Sequence, residues 1–298
     1  MPYSPDLIRT LARRHGIEGE PALLPSGGMV NEAWLVGDAH VLRIAVAEGC
    51  DDEAAREEAV MPLVLEAGIC APRLVGCDLK VEHAPRPYTI WERASGVLLG
   101  YCKDDPRSYQ PAFTEIGRQI ARLGRILPPP DVLPHLRRCK RGDPRQSLRR
   151  AVARDRIGSR DADEIGRWIE AVQPQLGRCR RRVLLHQDIH PWNVFVDPET
   201  RQLTALIDWG DAAIGDPAFE FASMPVFALP AMLEGYRAEG GAPDKGFVAR
   251  ALWNGLSLAL WEIRELDPEL YDPRWWRFGP DGWPKLREAM AELFGIGV

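Results

Sequence analysis

The stretch that most constrains the fold is residues 185–209, LHQDIHPWNVFVDPETRQLTALIDW. It contains two short apolar runs, NVFV and LTALI, and each is flanked by polar loop residues. Short apolar runs between turn residues are typical of buried strands. The stretch therefore predicts two neighbouring strands whose flanking loops carry Asp188, Asn193 and Asp208.

These three side chains are suited to binding a metal–nucleotide complex. Mg²⁺ prefers oxygen ligands and leaves several coordination positions to water or phosphate. Asn193 offers a neutral amide oxygen and Asp208 a carboxylate, whereas Asp188 can orient an acceptor hydroxyl and take its proton. Because phosphoryl transfer depends mainly on positioning and charge neutralisation, the set predicts a phosphotransferase. The alternative is that Asp188 and Asp208 only cap turns.

Two histidines in the same stretch raise the question of a zinc site. His186 and His190 are four residues apart, but a zinc-protease helix would carry glutamate at position 187, where Gln187 stands. Pro191 also disfavours helical geometry at His190, so the two rings need not share a helix face. We expect both histidines to pack and hydrogen-bond within the loop.

Secondary-structure signals upstream are rich in β-structure. Ser4 can cap a helix that has Pro5 at its first position. Pro62 lies inside a second helical pattern, and because proline lacks the backbone donor we expect a kink or a break there. The predicted elements are helices over 4–15 and 51–67 and strands within 22–46, 73–77 and 88–93.

From residue 109 onward the pattern is mainly helical. Helices are predicted over 109–127, in pieces over 131–182, and over 217–238 and 245–266. The order predicts an α+β fold with two lobes, a small antiparallel sheet lobe and a larger, mostly helical lobe. The expected domains are residues 1–94 for the nucleotide and 95–298 for catalysis and the acceptor, the latter with a core of about 97–127 and 183–225 and a helical subdomain of about 131–182 and 226–298.

The β-rich part holds signals for a nucleotide pocket. Ser26, Gly27, Gly28 and Asn31 belong to a loop, SGGMVN, in which glycines let backbone N–H groups approach phosphate closely. A plain hairpin turn is an equal alternative. No GxxxxGK[ST] motif occurs in the sequence, which excludes a P-loop.

Arg43 is a cation within the apolar run HVLRIA, and a buried cation needs a partner. Glu57 in the following helix is the natural partner, and the pair would let Arg43 hold the α- and β-phosphates. The alternative is an edge-strand arginine that points to solvent.

Composition is that of an ordinary soluble globular protein, with 45% hydrophobic and 27% charged residues. The sequence shows no leader peptide and no apolar run of about 20 residues, so we expect a cytoplasmic protein without a membrane partner. The six cysteines form no CxxC pair, as expected for free thiols. Either a monomer or a homodimer is compatible with these features.

Charge is unevenly distributed around a net value of −5. Residues 95–182 carry 20 basic and 10 acidic side chains, whereas residues 183–298 carry 9 and 18. The acidic C-terminal third predicts a cleft that attracts cationic small molecules, with solvated faces as an equal alternative. The basic stretch 137–156 lacks interleaved aromatic residues, so no nucleic-acid partner is expected.

The motifs HQDIHPWNVFVD and LIDWGDAAIGDPAFEFA resemble the signature of the aminoglycoside phosphotransferase and choline-kinase-like family, which has a protein-kinase-like fold. The resemblance extends more loosely from the glycine loop to about residue 225. It implies that Asp188 is the catalytic base, that Asn193 and Asp208 bind Mg²⁺, and that ATP or GTP donates the phosphate.

The same resemblance implies further roles. Arg43 and Glu57 match the ion pair that holds phosphate. Glu92 and Ala94 lie in the hinge whose backbone receives adenine, and Asp211 lies at the mouth of the acceptor site.

Three residues depart from the pattern of the family. Arg43 stands where lysine is frequent, although arginine also occurs there. Gln187 replaces a usual glycine and Trp192 a usual small residue, and both are expected to narrow or reshape the acceptor side. The catalytic set is complete, which argues against an inactive relative.

The acceptor pocket is expected beyond the metal loop, in the helical C-terminal part. Trp261, Glu262 and Glu265 combine an aromatic face with carboxylates, a lining that suits a cationic ligand. The alternative is that WNGLSLALWEIREL is an amphipathic core helix with its acids outside.

The function expected from the sequence is transfer of the γ-phosphate to a hydroxyl of a small, cationic molecule. An antibiotic is the leading candidate: an aminoglycoside, a macrolide or a basic peptide, with resistance as the result. One alternative is a metabolite kinase for an amino alcohol, a sugar or an amino acid such as homoserine. Another is a nucleotide-binding regulator without turnover.

Overall fold

Two helices and a five-stranded antiparallel sheet form the first part of the chain. The computed structural model describes residues 3–25, 31–46, 51–139, 142–265, 272–275 and 277. In chain order the elements are α1 (Pro5–Arg13), β1 (Pro21–Leu23), β2 (Asn31–Val36), β3 (His40–Ala45), α2 (Asp51–Glu66), β4 (Leu74–Asp78) and β5 (Tyr88–Glu92). The sheet has the strand order β1-β2-β3-β5-β4.

Alternation along β3 assigns its side chains to two different environments. Leu42 and Ile44 are buried in a cluster with Ile8 and Leu11 of α1. Because successive side chains of a strand point to opposite faces, Arg43 lies on the other face of the sheet. That face is the one on which α2 supplies its partner.

Helix α2 continues through Pro62, where the sequence predicted a kink or a break. Proline cannot donate to the carbonyl of Glu58 four residues earlier, but both residues are exposed and water can bind that carbonyl. Val60, Met61 and Val64 are buried in the main core. The predicted break is wrong because this packing outweighs the roughly 3 kcal/mol cost of an interior proline.

The second part of the chain is mostly helical and contains two small sheets. In chain order the elements are β6 (Val97–Leu98), α3 (Gln110–Leu123), β7 (Arg137–Arg138), α4 (Pro144–Ala153), α5 (Ser159–Val172), β8 (Val183–Leu185), β9 (Val194–Val196), β10 (Leu203–Leu206), β11 (Ala213–Gly215), α6 (Leu229–Ala238) and α7 (Phe247–Glu265). The strand orders of the two small sheets are β10-β9-β6 and β7-β11-β8.

The helix predicted over 217–238 is present only in its second half. Residues Pro217–Phe221 form a 3₁₀ turn that is capped by Asp216, whose carboxylate accepts from Ala218 N at 3.1 Å. Pro225 follows this turn, and α6 begins only at Leu229. Pro225 explains the interruption, because a proline inside the predicted helix cannot donate to the carbonyl four residues earlier, whereas Pro217 is at the first position, where proline is tolerated.

The two parts are joined by an extended connector around Gly96. Gly96 has φ +90°, and a Cβ there would lie 2.2 Å from the carbonyl oxygen of Val196. Glycine therefore permits β6 to pair closely with β9 directly after the connector. The boundary placed at residue 94 stays a prediction. No helix in the described ranges is long and apolar enough to cross a membrane.

Candidate active site

Strand pairing brings the two polar loops of the 185–209 stretch together. Val194 of β9 pairs with Leu206 of β10, which sets Asn193 beside Ile207. The Ile207 N–H donates to the Asn193 carbonyl at 3.0 Å. Asp208 is the next residue, so the register of this hairpin brings the predicted metal ligands into adjacent positions.

A second pairing fixes the start of the loop that carries Asp188. Leu185 of β8 pairs with Ala213 of β11, so the chain before Asp188 and the chain after Asp208 lie side by side. Both loops are therefore held at each end by a strand ladder. The three residues predicted to act together do lie in one neighbourhood.

His186 ties these two loops to each other. Its Nε2 lies 3.0 Å from the Ile207 carbonyl, and its Nδ1 accepts from Asp188 N at 3.3 Å. The ring is fully buried and packs on Trp209 with a centroid distance of 4.4 Å. Burial lowers the pKa of His186, so the ring is neutral, with its proton on Nε2. Both nitrogens are engaged, which agrees with a structural role.

The Asp188 carboxylate is surrounded by donors. Asn193 Nδ2 lies 3.0 Å from Oδ2 and 3.1 Å from the Asp188 carbonyl, and His190 Nε2 lies 3.3 Å from Oδ2. Burial would raise the pKa of Asp188, but the adjacent His190 holds that pKa well below its usual value. The group is thus an ionised carboxylate at neutral pH.

The Asn193 amide is oriented by the same contacts. Because its nitrogen donates to Asp188, the side-chain oxygen of Asn193 points the other way and is left for a cation. Asp208 supplies a charged oxygen nearby. No group of three or more histidine, cysteine or acidic side chains able to hold a metal occurs within the described ranges. Two oxygen donors, with phosphate and water completing the shell, match the way Mg²⁺ is bound beside nucleotides.

Arg43 links the sheet, α2 and the Asp208 loop. Its Nη1 donates to Glu57 Oε1 at 2.7 Å and its Nη2 to Asp208 Oδ1 at 2.9 Å. Burial raises the pKa of Glu57 to about 7, although Arg43 opposes that rise. The predicted Arg43–Glu57 pair is thus formed, and the solvent-pointing alternative for Arg43 is wrong.

Arg56 docks α2 onto the segment after Asp208. Its Nη1 donates to the Gly210 carbonyl, and its Nε donates to the His135 carbonyl at 2.8 Å. The side chain is 5% exposed, so these bonds satisfy a buried cation. The sequence reasoning missed Arg56. The available signal was its position one residue before Glu57, in a helix already assigned to the site.

Two residues in the site adopt left-handed backbone conformations. Gln187 has φ +77° and Asp208 has φ +68°. Such values are costly for residues other than glycine and cluster at functional sites. The Gln187 N–H donates to Glu220 Oε1 at 3.0 Å, and burial raises the pKa of Glu220 to about 7. Glu220 thereby fixes the residue before Asp188, a role that the sequence reasoning missed.

The hinge residues lie at the end of β5. Glu92 N donates to Arg73 O at 2.9 Å, and Arg93 N donates to Ala39 O at 2.8 Å. Within the described residues the Ala94 N–H has no hydrogen-bond acceptor. Asn31 lines the same cavity as Arg43, whereas Ser26, Gly27 and Gly28 lie outside the described part of the chain.

The residues predicted for the acceptor pocket differ in exposure and in their partners. Asp211 forms an ion pair with Arg137, and Glu262 is 5% exposed and forms one with Arg277. Trp261 is 37% exposed, and the Glu265 side chain lies outside the described part.

Arg277 joins several segments of the helical part of the chain. Its Nε donates to Ala222 O at 2.9 Å, and its carbonyl accepts from Val226 N at 2.8 Å. Its charge helps to lower the pKa of Asp188. Burial and Arg277 would lower the pKa of His190, but the adjacent Asp188 carboxylate raises it. Nothing in the sequence around Arg277 indicated this position.

The two bulky departures from the family pattern are accounted for by local packing. A Cβ at Gly100 would lie 2.5 Å from Trp192 Nε1, so the indole covers a glycine of the segment after the connector. The Gln187 side chain interacts with Cys139. Trp192 therefore packs against Gly100, and Gln187 contacts Cys139.

The sheet lobe, the helical lobe and the carboxylate–amide–carboxylate set define a two-lobed kinase-like phosphotransferase. Comparison with known proteins agrees. The model of the phosphotransferase enzyme family known as APH matches residues 22–268. The chain belongs to this family and is a small-molecule phosphotransferase.

Solved structures with the same fold cover nearly the whole chain. A macrolide 2'-phosphotransferase from Brachybacterium faecium has 18% identity and a TM-score of 0.65 over 98% of this chain and 99% of its own. Wild-type aminoglycoside 2'-phosphotransferase-IIIa, solved with GDP, has 20% identity and a TM-score of 0.67 over 97% and 98%. A spectinomycin phosphotransferase solved with ADP and spectinomycin has 12% identity and a TM-score of 0.63 over 98% and 92%. The predicted kinase-like fold class is confirmed.

Proposed function

We propose that this protein transfers the γ-phosphate of ATP or GTP to a hydroxyl group of a small molecule, with Asp188 as the catalytic base. One observation carries the proposal. The Asn193 amide donates to the Asp188 carboxylate at 3.0 Å, its backbone carbonyl accepts from Ile207 N beside Asp208 at 3.0 Å, and Arg43 of the sheet donates to Asp208 at 2.9 Å. This arrangement offers a base, two oxygen ligands and a phosphate-binding cation within a single site.

Mg²⁺ fits the residues present. Asn193 and Asp208 would hold it, and the ion would supply neutralisation of the charge on the transferred phosphate. Arg43, fixed by Glu57, would hold the phosphates that are not transferred. The Ala94 N–H would donate a hydrogen bond to the base of the nucleotide.

The chemical step follows from the position of Asp188. The acceptor hydroxyl passes its proton to the carboxylate, and its oxygen forms a bond to the γ-phosphorus. The bond from that phosphorus to the oxygen bridging to the β-phosphate breaks, so the nucleoside diphosphate leaves with the bonding electrons. Because the pKa of Asp188 is held below its usual value, the carboxylate is ionised at neutral pH, as the acceptor of a proton must be.

For the acceptor we propose a cationic antibiotic of the aminoglycoside, macrolide or basic-peptide type, which would make the protein a resistance enzyme. The support is the family assignment and the acidic C-terminal third, in which residues 183–298 carry 18 acidic and 9 basic side chains. Phosphotransferases of the same fold, similar over nearly the whole chain, act on macrolides, aminoglycosides and spectinomycin.

A specific observation supports a second candidate, a metabolite kinase for an amino alcohol, a sugar or an amino acid. Asp211 and Glu262, two acids expected to bind a cation, are already paired with Arg137 and Arg277. An acceptor with fewer positive charges would not need to displace these arginines.

A panel assay tests the proposal and separates the candidates. The purified chain is incubated with Mg–ATP or Mg–GTP and with kanamycin, streptomycin, spectinomycin, a macrolide, ethanolamine or homoserine, and phosphorylated product is detected by mass spectrometry. We expect transfer to one class of acceptor, and a loss of about 10²- to 10⁴-fold in Asp188→Asn. If Asp188→Asn binds Mg–ATP normally and still transfers phosphate at the wild-type rate, Asp188 is not the catalytic base.

A further inference from the structure

The ring of His190 is held in one tautomer by the backbone that follows it. Trp192 N lies 3.2 Å from His190 Nδ1, and a backbone N–H can only donate. Nδ1 must therefore carry the lone pair, which places the proton of the neutral ring on Nε2. Edge contact with the Trp192 ring, at a centroid distance of 5.9 Å, further restrains the imidazole.

The protonated nitrogen points at one oxygen of the catalytic carboxylate. His190 Nε2 lies 3.3 Å from Asp188 Oδ2, and Asn193 Nδ2 lies 3.0 Å from the same atom. The two nitrogens are 3.2 Å apart because both converge on this oxygen. No side chain in the described ranges donates to Oδ1 of Asp188.

We propose that His190 is a positioning residue that, together with Asn193, commits Oδ2 of Asp188 to internal hydrogen bonds and so makes Oδ1 the atom that receives the proton of the acceptor. The inference rests on the proposed function, in which Asp188 is the base. A carboxylate with both oxygens free can rotate about its Cβ–Cγ bond, whereas two donors on one oxygen fix the plane of the group. Fixing that plane aligns the lone pair of Oδ1 with the acceptor hydroxyl.

His190 makes two contacts, one with Trp192 N and one with Asp188 Oδ2. Two different substitutions each preserve one of these contacts and remove the other. In His190→Asn the amide oxygen can replace Nδ1 as acceptor for Trp192 N, but the donor to Asp188 is lost. In His190→Gln the longer side chain can place an N–H near the position of Nε2, but the acceptor for Trp192 N is lost. His190→Ala removes both contacts, and His83→Asn on the exposed surface is the control for handling.

The assay measures ADP release from Mg–ATP with water as the phosphate acceptor, together with the Kd of Mg–ADP and the melting temperature. We expect kcat to fall about 10- to 100-fold in His190→Ala and His190→Asn, with Kd unchanged within about 2-fold, and His190→Gln to regain most of the loss. His190→Asn with wild-type kcat, or His190→Gln as slow as His190→Ala, overturns the inference. A purely structural role predicts the opposite order, because only His190→Asn keeps the contact with Trp192.

Asp188→Asn in the same assay separates this inference from the proposed function. If Asp188→Asn hydrolyses Mg–ATP as fast as wild type, the proposed base is wrong. If Asp188→Asn is inactive and His190→Asn is not impaired, only the role of His190 is wrong.

The tautomer can be tested without turnover. Nitrogen-15 NMR of histidine-labelled protein, with His190→Gln used to assign the signal, distinguishes a ring protonated on Nε2 from one protonated on Nδ1. We expect the Nε2–H form in the neutral ring. An Nδ1–H form overturns the inference, because Nε2 could then not donate to Asp188.

Discussion

Arg43 reaches from strand β3 across the cleft to Asp208, and its Nη2 lies 2.9 Å from Oδ1. The other nitrogen of the same guanidinium, Nη1, donates to Glu57 on α2. One planar group therefore connects the sheet, the helix packed beside it and the loop that carries a predicted metal ligand. This side chain therefore couples the position of the sheet lobe to that of the Asp208 loop in the helical lobe.

A test of this connection replaces Arg43 by lysine and by alanine. Lysine keeps the charge but not the two-pronged geometry, so it can satisfy only one of the two carboxylates well. We expect kcat/KM for Mg–ATP to fall about 10-fold in Arg43→Lys and about 100-fold or more in Arg43→Ala. Steady-state kinetics checks this, with Arg118→Ala, at a half-exposed arginine of α3, as control. Equal values for Arg43→Ala and wild type would show that the guanidinium does not act on the nucleotide.

The left-handed backbone at Gln187 predicts a stabilising substitution. A Cβ at φ +77° costs about 1–2 kcal/mol, and glycine removes that cost at the expense of a more flexible unfolded chain. We expect Gln187→Gly to raise the free energy of unfolding by about 0.5–1 kcal/mol relative to Gln187→Ala. Both variants lose the contact with Cys139, so urea denaturation of the pair isolates the backbone effect. A Gly variant no more stable than the Ala variant would contradict it.

Glu220 predicts a pH-dependent stability. Burial raises its pKa from 4.5 to about 7 in the folded protein. Between these values the folded state keeps a proton that the unfolded chain releases, so this contribution to stability is complete below about pH 4.5 and is lost as pH rises through about 7. The isosteric Glu220→Gln removes the titration.

We therefore expect Glu220→Gln to match wild type near pH 5 and to be more stable than wild type by roughly 1–3 kcal/mol near pH 8.5. Urea denaturation at the two pH values measures the difference, with the exposed Glu234→Gln as a matched control. Glu57 also has a pKa raised to about 7, but it is unchanged in both proteins and cancels in the comparison. A stability difference that does not change with pH would refute the prediction.

The buried ion pair of Arg250 predicts a large loss of stability. Arg250 is 1% exposed and donates to Asp216 at 2.5 Å, to Asp244 at 2.8 Å and to the Leu176 carbonyl at 3.0 Å. Arg250→Met leaves the buried Asp216 without its cation, so we expect a loss of about 3–5 kcal/mol. Chemical denaturation checks this against Arg237→Met, an exposed arginine on α6. If Arg250→Met lost no more free energy of unfolding than Arg237→Met, the buried ion pair would not stabilise the fold.

The local sequence predicted the elements that hold the site, but not all of their limits. Ser4 caps α1 as expected, accepting from Leu7 N at 3.2 Å, because a capping residue acts on its own turn. The break expected at Pro62 does not occur, since buried neighbours hold α2 together. The short strands β7 and β11 were not predicted, because a pairing of two or three residues leaves little periodicity to detect.

The acceptor side shows a further limit of sequence reasoning. Glu262 and Trp261 are adjacent in α7, yet the first is buried and the second is 37% exposed. The neutralising partner of Glu262 is Arg277, which is fifteen residues away and in a different segment. A sequence pattern can show that a carboxylate is present, but it does not show whether another side chain already compensates its charge.

The sequence by itself determined the chemical inventory: Asp188, Asn193 and Asp208 at spacings that suit phosphoryl transfer, with Arg43 and Glu57 available upstream. Those spacings are local, and residue types alone limit the chemistry they allow. The tertiary structure alone decided which atoms meet. Strand register places Asn193 beside Ile207, and contacts through His186 and His190 hold the Asp188 segment, because hydrogen bonds between distant segments form only when packing brings their donors and acceptors within reach.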